Sequence, residues 1–235
     1  MAIIALICFL VAYNNVLNLW PPFNGPAYVP LNVAAALVLL TIGTTTMGLD
    51  ARELGLESGH LAGTLTGIAL AAVAATPLAL LSRSPRAARV IADERVAELA
   101  GRRLAFQVLV RIPLGTALLE EVAFRGILFG AMAPHGNVAA MVTSSVAFGL
   151  WHVTPTHNLI LANRVDASHG AVAVAICGAV LFTTLAGMAL CYLRIRSGTL
   201  AAPATVHATL NSLATVAAVV AHRTVRDRSP VEMTY

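Results

Sequence analysis

Glu120, Glu121 and Arg125 interrupt a stretch, LLEEVAFRGILFG (118–130), whose other residues have the composition of a membrane helix. On insertion scales each mid-membrane charge costs roughly 2.5–3.5 kcal/mol, so the three together cost about 9 kcal/mol, while each apolar neighbour returns only about 0.3–0.6 kcal/mol. Such charges need partners or a wet cavity. Glu121 and Arg125 stand four residues apart with the acid first, the better order for an intrahelical ion pair. Two further clusters break apolar runs: FGLWH, from Phe148 to His152, and HATLN, from His207 to Asn211. In both, the terminal residues share one helical face.

A carboxylate, two imidazoles and a carboxamide in a confined wet cavity suit amide hydrolysis. A glutamate can take the proton from water as it attacks a carbonyl, and His152 can orient that water. Donors from His207 and Asn211 can stabilise the developing oxyanion. Alternatively, Glu120, His152 and His207 make a His₂Glu set of the kind that holds catalytic zinc. Both routes cleave amides, and the residues leave both open. The chain has no HExxH, no GxSxG and no GxGD sequence. Taken singly, each cluster has a simpler reading. Glu121–Arg125 can be a structural ion pair, His207 a helix-packing hydrogen bond, and Phe148 and Trp151 read as packing residues.

The elements that must hold these groups are membrane helices. The chain has 235 residues, 58% hydrophobic and 11% charged, with a mean hydropathy of +0.79, whereas soluble domains carry about 25% charged residues. The composition predicts an all-α, polytopic membrane helical bundle of about seven transmembrane helices, near 2–20, 31–48, 60–82, 104–132, 137–152, 170–193 and 199–222. The opening MAIIALICFLVAY lacks a basic flank and reads as a first membrane helix. PPFNGPAYVP (21–30) is too turn-rich to be helical throughout. Residues 1–235 read as a single membrane domain with a catalytic core over 104–215. Cys8, Cys177 and Cys191 lie in apolar runs without CxxC spacing and read as small core residues. His60, His135, His157, His169 and His222 fall in loops or at helix ends.

All 15 basic residues are arginine, and the net charge is +4. They cluster in membrane-flanking segments rather than on one face, so nucleic acid is not an expected partner. The segment 83–103 holds six arginines, and Arg223, Arg226 and Arg228 follow the last helix. The positive-inside rule puts both segments in the cytoplasm, and seven helices then put the N-terminus outside. Arg194 and Arg196 disagree with this topology and read as snorkelling or site-related. If helices four and five form a hairpin turning near His135, Glu120 and His152 lie roughly 22 and 25 Å from that turn. His207 and Asn211 lie roughly 15 and 21 Å from a turn near Ser197. All four groups are expected in the cytoplasmic half of the bilayer, with His207 about 7–10 Å shallower than Glu120 and His152. That offset favours His207 and Asn211 at an oxyanion over a tight zinc site, so no metal cofactor is favoured, with zinc the alternative.

LLEEVAFRGILFG, SSVAFGLWH and AGMALCYLRIRSGTLAAPATVHATLNS closely resemble the EExxxR, FxxxH and HxxxN motifs of the CAAX protease and bacteriocin-processing family, in order and on separate helices. The resemblance spans about residues 104–215. It implies a helical membrane endopeptidase with its cavity open to the cytoplasm, in the plasma membrane and most simply a prokaryotic inner membrane. Its implied partners are the lipid bilayer and a membrane-associated or lipidated peptide or protein substrate. By resemblance Glu120 is the water-activating base, His152 its partner, and His207 and Asn211 the oxyanion donors, while Glu121, Arg125 and Phe148 shape and charge-balance the site. Family members are described both as metal-dependent and as metal-free glutamate proteases. Two readings from other classes compete: a proton-coupled transporter, since buried Glu and His also build proton relays, and a non-catalytic immunity or scaffold protein.

Overall fold

The computed structural model describes residues 2–19, 25–57, 61–163, 165 and 167–227. His60, Arg228 and residues 21–24 of the proline-rich connection lie outside them. The described chain runs through α1 (Ala2–Leu19), α2 (Tyr28–Thr45), α3 (Ala51–Leu54), α4 (Leu61–Leu81), α5 (Pro85–Ile91), α6 (101–132), α7 (Asn137–Trp151), α8 (Val153–Ala162), α9 (His169–Ser197) and α10 (Ala201–Arg226). No strand occurs among the described residues, and the chain is an all-α polytopic bundle. Helix α2 begins earlier than anticipated, inside the proline-rich connection. Pro30 falls in its first turn, where the missing N–H costs no hydrogen bond.

Each of the seven apolar segments is mainly helical where described, but among the described residues fewer than seven qualify as spans. Four are long and apolar enough to cross a bilayer: α2, α7 with α8, α9, and α10. A fifth arises if Gly67–Leu81 and Pro85–Ile91, bent by 119°, count as one. Helix α6, with Arg111, Glu120, Glu121 and Arg125 along it, is not among them. Large apolar side chains stand outward on these helices, including Leu37, Val73, Leu80, Val174, Leu181, Phe182 and Leu185. Exposed apolar surface on this scale belongs against lipid. Cys8 and Cys177 share that outward position, so they are not core residues; only Cys191 is buried, between the hydroxyls of Ser144 and Ser145 at 3.7 Å each.

Helix α6 lies at the centre, packed against α2 and α10, and α7 packs along α9. Its inner surface, Phe124, Ile127 and Leu128, meets Leu39 of α2, Leu54 of α3, Phe148 and Trp151 of α7, and Leu200. Two prolines create needs that other helices meet. Gln107–Ala117 is π-helical, with hydrogen bonds running five residues back, and Pro113 has no N–H to offer the Val108 carbonyl. The Ser212 hydroxyl, on α10, donates to that carbonyl at 2.8 Å. Pro155 stands four residues after Trp151 and leaves the Trp151 carbonyl equally without a helical donor. The helix breaks there, at His152 (φ −86°, ψ 0°), and Asn14 of α1 donates to the carbonyl at 2.7 Å.

Helix α9 ends at Gly198, in the left-handed region at φ 71°. The turn into α10 is tied down by Leu200 N–H donating to the Gly55 carbonyl at 2.8 Å. Arg194 is buried and donates to the Arg52 and Glu53 carbonyls at 2.8 and 3.2 Å, satisfying the last carbonyls of α3. It is therefore a structural cap and neither snorkels nor enters the polar site; Arg196 is exposed.

Candidate active site

Helix α6 presents Glu120 and Glu121 in successive directions, and each meets a different set of neighbours. Glu121 is 1% exposed and Arg125 fully buried. Arg125 Nη1 donates to Glu121 Oε1 at 3.0 Å, one turn along the helix. The His207 Nδ1 lies 2.8 Å from the same oxygen and, facing a carboxylate, is the donor. The guanidinium carbon of Arg125 sits 4.1 Å over the Phe148 ring. Helix α9 comes this close because residue 187 is glycine: a Cβ there would approach Arg125 Nη2 to 3.1 Å and the Phe148 ring to 3.2 Å. Glu121, Arg125 and Phe148 thus form one buried cluster.

Glu120, 7% exposed, faces the other way. Its Oε1 accepts a hydrogen bond from the Trp151 indole N–H at 3.1 Å. Its Oε2 has no hydrogen-bond partner among the described residues and stands 3.7 Å from His207 Nε2. His207 therefore bridges the two glutamates, bonded to Glu121 and directed at Glu120. The anticipated offset of 7–10 Å between His207 and Glu120 is wrong. It assumed uniform α-helical rise, whereas Val122–Leu128, between Glu120 and the turn at His135, is π-helical and advances less per residue. It also set the two outer turns level, whereas the α9–α10 turn is drawn onto the α3 loop.

Glu120 lines a cavity of about 1510 Å³ together with His152 and Asn211. His152 sits at the α7–α8 break with its Nδ1 2.7 Å from the Phe148 carbonyl, which makes Nδ1 the donor and leaves Nε2 able to accept. The Phe148 ring packs edge-on against both imidazoles, with centroids 4.7 Å from His152 and 5.8 Å from His207. Asn211 lies one turn beyond His207 on α10, next to Ser212 and its bond to α6. Contacts thus join Glu120, Glu121, Arg125, Phe148, His152 and His207, while Asn211 shares with Glu120 and His152 the lining of the cavity.

Donor geometry bears on zinc. Among the described residues no group of three or more His, Cys, Asp or Glu is arranged to hold a metal ion. His207 donates Nδ1–H to Glu121 and His152 donates Nδ1–H to a backbone carbonyl, the outer bonds that zinc-bound imidazoles also make, which leaves Nε2 as the open nitrogen of each ring. Glu120, His152 and His207 supply zinc-ligand donor types without being gathered into a three-ligand cluster among the described residues.

The cavity wall holds groups that the motifs did not include. Trp151, taken as a packing residue, holds Glu120. Asn14, Tyr28, Asn32 and Arg111 also line the cavity. Tyr28 hydrogen-bonds Thr116 at 3.1 Å, and the Arg111 guanidinium stacks on its ring at 4.0 Å. Asn14 and Asn32 are buried amides in apolar helices, a signal as available in the sequence as that of Asn211. Residues 89–96 of the arginine-rich segment form the rim. There, burial pushes the Asp93 carboxyl up, but the hydrogen bonds and charge of Arg95, with a bond from Asn163, outweigh it and hold it below its ordinary value. His222, near the end of α10, meets Glu94 at 3.4 Å on the same side.

Compared with protein families, residues 102–213 match the family described as Type II CAAX prenyl endopeptidase Rce1-like. The segment is Rce1-like, in agreement with the three motifs, all of which fall inside it. The match supports, in general terms, a CAAX-type intramembrane peptidase in a multi-pass membrane protein. Neither the curated proteins nor the solved structures include a match to the chain.

Proposed function

We propose, from the premise of an Rce1-like segment at 102–213, that this protein is an intramembrane endopeptidase in which Glu120 activates water against a peptide bond. One observation carries the reading. Of two adjacent glutamates, each with one oxygen unbonded among the described residues, Glu121 is held by Arg125 and His207 away from the cavity, while Glu120 lines it with His152 and Asn211.

In the proposed reaction Glu120 Oε2 takes a proton from water, the water oxygen bonds to the carbonyl carbon, and the carbonyl becomes an oxyanion. His152, with Nδ1–H bonded to Phe148, offers its Nε2 lone pair to a hydrogen of the same water. The Asn211 carboxamide supplies an N–H to the oxyanion. His207, held by Glu121, turns its Nε2 towards Glu120. As the C–N bond breaks, the proton on Glu120 passes to the leaving amine. Dipoles fixed in a largely apolar wall need no reorganisation as charge develops, which is where such sites gain most. No step requires a resident metal.

The cavity exceeds the roughly 300–1,000 Å³ of small-molecule sites, in keeping with a polypeptide substrate. Its arginine-bearing rim, read by the positive-inside rule, supports a cytoplasmic mouth and a membrane-associated or lipidated peptide as substrate. The test is cleavage of such a peptide in proteoliposomes, with products identified by mass spectrometry. Cleavage by the parent, retained within twofold after chelator treatment and absent in Glu120→Ala, is the expected result. Undiminished cleavage by Glu120→Ala would refute the role of Glu120, and zinc-restored activity after chelation would refute the metal-free route.

A further inference from the structure

The Rce1-like segment does not hold its reactive glutamate alone. Trp151 donates its indole N–H to Glu120 Oε1, and its own carbonyl, orphaned by Pro155, accepts from Asn14 of α1. The neighbouring Asn15 accepts a hydrogen bond from the Thr154 hydroxyl, on the far side of the same break. Two consecutive amides of α1 therefore straddle His152, one bonded to the residue before it and one to the residue two after. Helix α1 lies outside residues 102–213.

We propose that Asn14 and Trp151 are positioning residues for the peptidase reaction, and that α1 sets the geometry of Glu120 and His152 through them. The physical argument runs from the proline outward. Without an N–H at position 155, the Trp151 carbonyl has no helical partner, and a buried unpaired carbonyl is costly. Asn14 removes that cost only at one position and orientation of the Trp151 backbone. That backbone fixes where the indole N–H points, and the indole selects which Glu120 oxygen is engaged. With Oε1 bonded to Trp151, Oε2 is left towards His207 and the site. The Asn15–Thr154 bond holds the other side of the break, so the His152 ring is set between two anchored residues. The effect of Asn14 on the reaction is transmitted by Trp151.

This inference rests on the peptidase reading, but the contact can be tested separately. The chain has two tryptophans, Trp20 and Trp151. In a Trp20→Phe background, ¹⁵N-indole labelling of the full chain in micelles leaves a single indole N–H signal. We expect Glu120→Ala and Asn14→Leu each to move that signal and to speed its exchange with water. In the cleavage assay, Trp151→Phe should lower kcat about 10-fold or more, the loss of a hydrogen bond to a charged group, with KM changed less than twofold. Asn14→Leu and the isosteric Asn14→Asp, both lacking the amide donor, should lower kcat about fivefold in the same manner. Combined with Trp151→Phe, either should add little, because both act on one path. An indole signal unmoved by Glu120→Ala would overturn the proposal, as would kcat within twofold of the parent in both single variants, or losses confined to KM. A parent that cleaves no peptide would refute the enzymatic reading, while the indole signal would still decide whether α1 controls the setting of Glu120.

Discussion

Glu120 and Glu121 are neighbours on one helix, yet they belong to two different regions. On the Glu121 side the groups are sealed from the cavity: Arg125 and His207 share one carboxylate oxygen, the other is buried without a hydrogen-bond partner among the described residues, Phe148 covers the guanidinium, and Gly187 lets α9 press against both. On the Glu120 side a single indole holds one oxygen, and the remaining neighbours line a cavity. Two carboxylates of the same chemistry, one residue apart, are thus given opposite tasks by what surrounds them. A buried pair stripped of one partner loses several kcal/mol, so the closed side behaves as structure. An under-committed carboxylate beside space and polar groups is the arrangement expected of a working base.

The harshest way to break this contrast is to remove Arg125. Arg125→Ala leaves Glu121 buried without its counter-charge and should destabilise the fold by about 3–5 kcal/mol. Thermal unfolding in detergent and the yield of monodisperse protein would register it. Replacing Glu121 and Arg125 together by apolar residues should recover most of that stability. It should recover little activity, because His207 then loses the carboxylate that orients it. Full activity in the double variant would show that the closed side is scaffolding unconnected to the reaction.

A smaller loss sharpens the other side. Asn211→Ala should lower kcat about 10²–10³-fold, the range for removing one oxyanion donor, with little change in thermal stability. Loss of stability in step with activity would move Asn211 to the structural region. Smaller again is Ser212→Ala, which orphans the Val108 carbonyl and should cost about 1–3 kcal/mol of stability. Its effect on kcat should come only through Asn211 next to it, and should vanish in an Asn211→Ala background.

The reach of the sequence follows the same division. Glu120, Glu121, Arg125, His152, His207 and Asn211 were legible because polar groups in apolar helices have few innocent explanations, and four-residue spacing puts them on common faces. The helical class was equally legible from composition. Trp151 was not, because an aromatic residue in a membrane helix reads as packing until its N–H is seen to meet a carboxylate. Asn14 carried the same amide signal as Asn211 but stood without a neighbouring motif. The needs created by Pro113 and Pro155 are local, yet Ser212 and Asn14, which meet them, lie 104 and 137 residues away from the carbonyls they bond. Depth failed for a related reason: counting residues assumes uniform rise and level turns, and π-helical α6 and the anchored α9–α10 turn satisfy neither. The count of seven spans likewise reflected apolar length alone, without the charges on α6 or the bend between α4 and α5.

The most direct test of the central claim measures Glu120→Gln and Glu121→Gln side by side, taking thermal stability and peptide cleavage from the same preparations. Glu120→Gln should leave the unfolding temperature near that of the parent while cleavage falls about 10²–10⁴-fold, the range for loss of a general base. Glu121→Gln should lower the unfolding temperature markedly, while its amide oxygen still accepts from His207, so cleavage per folded molecule should fall far less than in Glu120→Gln. Parallel changes in both variants, or cleavage surviving in Glu120→Gln, would contradict the division of roles between the two glutamates.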